Sequence, residues 1–186
     1  FNQDLNDWDV SNGTTFYGMF FNSYSFNQDI GDWDVSSGEN FTYMFSFNRV
    51  FNQDIGDWNF ASATNLSGML QNTESFNQDI SSWDVSNVTN LYAFAWGNST
   101  FNQDISSWDV SNVTDFSYAF YYSSTFNQDI SSWDVSSGTD FSSMFKNTDA
   151  FDQNISIWDV SNGTDFSNMF VDSLMGTNQG INDTPN

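Results

Sequence analysis

The chain has 186 residues, of which 38% are apolar and 19% aromatic, and this is enough to bury a core, so a disordered tail is excluded despite a formal charge of −22. Arg49 and Lys146 are the only basic residues, which excludes nucleic acid and anionic lipid surfaces as partners, since both are bound by neutralising phosphate. No Cys and no His are present, so disulfides, thiol nucleophiles, zinc and haem sites and Ser-His-Asp chemistry are excluded on residue type alone; no run approaches the roughly 18 apolar residues that cross a bilayer.

Phe1 opens a 25-residue unit that recurs without insertion or deletion at Phe26, Phe51, Phe76, Phe101, Phe126 and Phe151. Its consensus is F-N-Q-D-I-x-x-W-D-V-S-N-x-T-[ND]-F-x-x-M-F followed by five variable residues. Because the chain starts at the first position of a unit and without Met, a mature or truncated product is expected. Positions 3 to 5 and 8 to 10 of each copy alternate apolar and polar residues, as in Asp104-Ile105 and Trp108-Asp109-Val110, a spacing that predicts short strands. Further along, Thr14, Thr64, Thr89, Thr114, Thr139 and Thr164 precede apolar residues at spacings of three and four, such as Phe16, Met19 and Phe20. A threonine cap followed by that stripe predicts one or two helical turns, stopped by Asn22, Asn72, Gly97 or Asn147. The seventh copy runs to Met175, giving a repeat domain over 1–175; residues 176–186 read as a decayed start of an eighth copy and a polar tail that holds Pro185.

A unit this short cannot bury its own inward side chains, so successive copies must stack and shield one another. The expected fold is therefore an α/β repeat solenoid of seven coils, each with short parallel β-strands and a short helix.

The segment Phe101-Asn102-Gln103-Asp104-Ile105-Ser106-Ser107-Trp108-Asp109-Val110-Ser111-Asn112-Val113-Thr114 resembles the BspA-type bacterial surface repeat, a leucine-rich-repeat-like unit of secreted proteins and surface lipoproteins. The resemblance covers residues 1–175. It implies a right-handed, leucine-rich-repeat-like stack, exposure on a cell or in the medium, and adhesion or scaffolding with no catalytic residues.

Four sets of residues are candidates for function. Asp4, Asp29, Asp54, Asp79, Asp104 and Asp129 recur at one position, and a second series starts at Asp9. Stacked like charges about 5 Å apart cost on the order of 1 kcal/mol per pair in water; calcium would relieve this, and so would solvent exposure or capping of turn N–H groups as Asx motifs. The acids are equivalent copies, so no pair is differentiated into the acid and base that glycoside hydrolysis needs, and no enzyme and no other cofactor are expected. Seven Trp occupy one core position, whereas Trp96 lies in a variable segment and forms, with Tyr24, Tyr121 and Tyr122, a candidate contact patch for a protein or carbohydrate. N-x-[ST] sequons stand at Asn12, Asn40, Asn65, Asn87, Asn98, Asn112, Asn154, Asn162 and Asn182. Lastly, Phe1, Leu5, Trp8 and Phe20 would lie at the first end of the stack, where another copy could join head to tail and build a filament. The expected role is a secreted or cell-surface scaffold for display or adhesion, with a filament subunit or a calcium- or carbohydrate-binding module as alternatives.

Overall fold

The computed structural model describes residues 1–179, with side chains to Gly176. Each 25-residue copy makes one coil, and equivalent positions of successive coils lie over one another: a parallel bridge joins Thr15 to Asn40, Asn40 to Asn65 and so on to Asp165. The coil is bent by turns in which an N–H reaches the carbonyl three residues back. In coil 5 these close at Trp108 to Ile105, Val113 to Val110, Ala119 to Phe116, Tyr121 to Tyr118, Ser123 to Phe120 and Phe126 to Ser123.

The expected α/β architecture, and with it the right-handed leucine-rich-repeat-like class, is overturned. Among the described residues the only helix, α1 (Leu174–Gln179), starts at the last two residues of the seventh copy and runs past it, and the coils otherwise contain only isolated bridges in place of strands. The reason lies in positions 18 and 22 of every copy, which have φ between 51° and 71°. A left-handed residue every fourth place stops a right-handed helix before it can propagate. The apolar spacing at Phe16, Met19 and Phe20 therefore serves a chain of turns. Threonine 14 does not cap a helix either: the Thr114 hydroxyl donates to the Thr89 carbonyl one coil back, 3.2 Å away.

Alternate N–H groups of this turn segment point in two directions. Those of Phe116, Tyr118, Phe120 and Tyr122 donate to Asp140, Ser142, Met144 and Lys146 of the next coil, while those of Ala119, Tyr121 and Ser123 close turns within their own. Every second residue is thus a rung between coils, and the backbone is satisfied without a regular strand.

Where strands were expected at positions 3 to 5 and 8 to 10, side chains make the rungs. Asn102 accepts the N–H of Asn127 at 2.9 Å and the Gln128 amide at 3.0 Å on its Oδ1, a pattern that runs from Asn2 to Gln153. The indole Nε1 of Trp33, Trp58, Trp83, Trp108, Trp133 and Trp158 donates to the carbonyl of the residue 28 places earlier, from Leu5 to Ile130.

Between these two edges lies the core. Phe26, Ile30, Trp33, Val35, Phe41, Met44 and Phe45 are buried in coil 2, and their equivalents in coils 3 to 6. Phe45 stacks on Phe51 with ring centroids 4.0 Å apart, and Trp108 on Trp133 at 6.4 Å. Each fully buried aromatic or aliphatic side chain contributes about 1.5–3 kcal/mol, a gain a coil obtains only because its neighbours cover it. At the outer sides of the first and seventh coils that cover is missing: Phe1 is 63% and Trp8 54% exposed, and Val160 and Phe166 of coil 7 are exposed where their equivalents in coils 2 to 6 are buried. Leu5 and Phe20, also expected at the first end, are buried by coil 2.

Candidate binding face

Two parts of the coil differ in how they vary. Positions 1 to 15 repeat almost unchanged; positions 17, 18, 21 and 22 of the turn segment change from copy to copy, with Tyr17, Phe21 and Tyr122 exposed, Tyr43, Tyr92, Trp96 and Tyr118 half-buried, and small residues such as Ser46 and Ala93 buried. They also separate the charge. Positions 16 to 25 carry only Glu74, Asp149 and Asp172 among the acids and hold both bases, while every other Asp and Glu of residues 1–175 lies in positions 1 to 15. The turn face is thus a nearly neutral strip on a strongly negative molecule.

The strip bears two groups of aromatic rings. In coils 1 and 2, Phe21 meets Tyr43 and Phe47 edge to face at 6.4 and 5.9 Å, and Tyr17 meets Tyr43 at 6.3 Å. In coils 4 and 5, Trp96 stacks on Tyr118 at 5.6 Å and meets Tyr121 at 5.1 Å, Tyr92 meets Tyr118 edge to face at 5.8 Å, and Tyr121 meets Tyr122 at 4.5 Å. Burial and the neighbouring phenol of Tyr122 push the Tyr121 hydroxyl above its ordinary value. Coil 3 separates the groups with Ser67, Gly68, Gln71 and Asn72. Gly68 is required there, because a Cβ at that place would sit 2.3 Å from the Tyr43 ring.

Tyr43, Phe47, Tyr118 and Tyr122 occupy positive-φ positions, at 55° to 59°. Most other copies fill the same places with Gly18, Gly68, Gly97, Asn22, Asn72, Asn147 or Asn168, which tolerate that geometry at less cost, while Ala93, Ser143 and Asp172 take the remaining ones. Bulky side chains held there cost on the order of 1–3 kcal/mol each, and such strain concentrates where display of the side chain matters.

The sequence singled out Trp96, Tyr121 and Tyr122, and the structure brings these three together; Tyr24 stands apart in coil 1, its hydroxyl bonded to Asn22 at 3.2 Å. Tyr92, Tyr118 and the whole first group were missed. The signal was the contrast between constant and variable positions within the repeat, visible once the helix expectation is set aside.

The aspartate series have a different occupation. The Oδ1 of Asp104 and Asp129 accepts the N–H two residues on, and the second series does the same, as Asp109 does for Ser111. These hydrogen bonds, from backbone N–H and serine hydroxyl, hold Asp79, Asp104 and Asp129 below the ordinary 3.8, with the like charges of Asp79 and Asp129 opposing at Asp104. Asp4, Asp29 and Asp54 cap Asn6, Gly31 and Gly56 in the same way. Among the described residues no three acidic side chains converge on a point that would hold a metal.

The sequons fall in unlike surroundings. Asn12, Asn87, Asn112, Asn154 and Asn162 are exposed, Asn40 and Asn65 are half-buried and cap Thr42 and Ser67, and Asn182 lies outside the described residues. Asn98 is fully buried, its Nδ2 donating to Phe76 at 3.1 Å, so a glycan does not fit there in the folded coil. No helix among the described residues is long and apolar enough to cross a membrane.

Stacked 25-residue coils that hold a variable aromatic strip on a constant frame define the class: a tandem-repeat protein. The model of the family described as "Mycoplasma protein of unknown function, DUF285" matches residues 1–96 and 64–183, and the chain belongs to that family. No curated protein and no solved structure matches it.

Proposed function

We propose that the chain is a non-enzymatic scaffold, secreted or held at a cell surface, that binds a partner through its turn face and so serves display or adhesion. One observation carries this reading: aromatic rings are kept at left-handed positions where Gly or Asn stands in most sister copies. A cost to folding with no return in core packing is expected of residues retained for contact. Trp and Tyr are also the side chains that dominate binding energy at interfaces. The likeness of F-N-Q-D-I and W-D-V-S to the BspA-type surface repeat supports the extracellular placement. Against catalysis stands the equivalence of the acids, which cap turns alike and leave none differentiated as acid or base.

The test is attachment of beads coated with the full chain to immobilised polysaccharides, extracellular-matrix protein and intact cells. Adhesion to at least one of these, abolished in the combined Tyr92→Ser, Trp96→Ser, Tyr118→Ser and Tyr122→Ser variant with the thermal midpoint retained, is expected. Equal adhesion by the variant overturns the reading.

A further inference from the structure

Between the second aromatic group and coil 6 runs an open groove of about 470 Å³, within the 300–1,000 Å³ typical of small-ligand sites. It exists because side chains are small where two coils meet it. Gly97 stands at position 22 of coil 4, and Ser99 and Ser124 at position 24 of coils 4 and 5. Coils 3 and 6 fill the same two positions with longer groups, Asn72 and Glu74 at one end and Asn147 and Asp149 at the other. Three coil spacings separate the ends, on the order of 14 Å at about 4.8 Å per coil. Trp96 and Tyr122 supply the apolar lining, and Tyr122 is 51% exposed.

We propose that this groove binds a short stretch of neutral carbohydrate, two or three sugar rings long, an assignment that rests on the turn face being a contact surface. The C–H face of a pyranose is apolar and stacks on an indole or phenol ring, while its hydroxyls both donate and accept hydrogen bonds. The groove matches both halves of that chemistry. Its rings form the platform, and the amides of Asn72 and Asn147 and the hydroxyls of Ser99 and Ser124 donate and accept along it.

Charge decides among ligand classes. Arg49 sits on Glu74 at 3.2 Å, so the carboxylate at that end of the groove is already paired. A cationic ligand gains little from a carboxylate so paired. An anionic glycan meets the field of a molecule carrying −22. A neutral, hydroxyl-rich ligand is the class left. Gly97 keeps the groove open: a Cβ there would lie 2.4 Å from Asn72 Oδ1, at a φ of 71°.

The experiment is calorimetric titration of the full chain with trisaccharides of glucose, of galactose and of N-acetylglucosamine, and with sulfated and sialylated oligosaccharides of the same length. Binding of at least one neutral trisaccharide, weaker by tenfold or more for the anionic compounds, is expected. Trp96→Ala and Tyr122→Asn should each weaken it by about tenfold or more, equivalent to about 1.4 kcal/mol, with the thermal midpoint lowered in neither case below that of a core variant. No binding of any neutral trisaccharide at 10 mM, a level on the order of the weakest specific affinities, overturns the assignment, as does binding that Tyr122→Asn leaves intact. Bead adhesion that still depends on the face aromatics in that event leaves the display reading standing; loss of both removes both.

Discussion

The indole Nε1 of Trp108 donates to the carbonyl oxygen of Ile80, 28 residues earlier, at 3.0 Å. The ring is buried and stacks between Trp83 and Trp133, at 6.0 and 6.4 Å, so a single side chain fills the core and fastens one coil to the one before. Trp8 occupies the same place in the first copy and is 54% exposed. Trp108→Phe is expected to cost about 2–4 kcal/mol, from the lost hydrogen bond and the space left behind. Trp8→Phe should cost under about 0.5 kcal/mol, as an exposed site away from the core does. Urea denaturation of the two variants measures the contrast, and equal losses would contradict the stacking account.

Asn48 is buried, yet neither its Nδ2 nor its Oδ1 has a hydrogen-bond partner. At the equivalent place Thr73 and Thr148 donate to Phe45 and Phe120, 28 residues back, at 3.0 and 2.7 Å. Asn48→Thr should reach the Phe20 carbonyl in the same manner and raise stability by about 1 kcal/mol. A higher thermal midpoint is the expected outcome; a lower one would mean that the amide is better served than its surroundings indicate.

Position 13 and position 16 share one space. In coil 2 a Cβ on Gly38 would fall 2.4 Å from the Phe41 ring, and coil 4 instead combines Val88 with Leu91. Gly38→Val is expected to destabilise by about 1–3 kcal/mol through overpacking. Gly38→Val with Phe41→Leu should recover most of that loss, and a double variant no better than the single one would separate the two positions. Coil 5 holds both Val113 and Phe116 buried, which places the single variant toward the lower figure.

Tyr122 is exposed and left-handed at φ 57°. Asn stands at this position in coils 1, 3 and 6, so Tyr122→Asn should raise stability by about 1 kcal/mol while removing a wall of the groove. Thermal melting beside a binding titration reads both effects. A drop in stability would mean that the ring earns its place by packing on Tyr121.

The carboxylates set the response to acid. Serine hydroxyl and then backbone N–H hydrogen bonds hold Asp34, Asp84 and Asp134 below the 3.8 of the unfolded chain, with Asp9 opposing at Asp34. A group whose folded value is lowered adds stability that is whole above 3.8 and is lost as pH falls through the lowered value. The thermal midpoint should therefore change little from these groups between pH 7 and 5 and fall below about 3.8. Melting across that range tests the point, since relief of like-charge repulsion alone would instead raise the midpoint on acidification.

The sequence by itself fixed the seven-copy register, because a 25-residue period repeated without insertion is independent of how any copy is folded. It also placed Trp108 and its equivalents in the core and offered the Asx role of Asp104, since identical residues at identical places must meet identical surroundings. It misled at positions 14 to 22. There a threonine followed by apolar residues three and four apart is compatible both with helix and with a run of turns, and only the rungs from Phe116 to Asp140 and from Tyr118 to Ser142 choose between them. Those hydrogen bonds come from the next coil, and they outweigh the strain of a left-handed Tyr118. The neutral aromatic strip followed from the same choice: once 17, 18, 21 and 22 belong to one turn segment, Trp96 and Tyr122 from different coils line one groove, which no single copy could reveal.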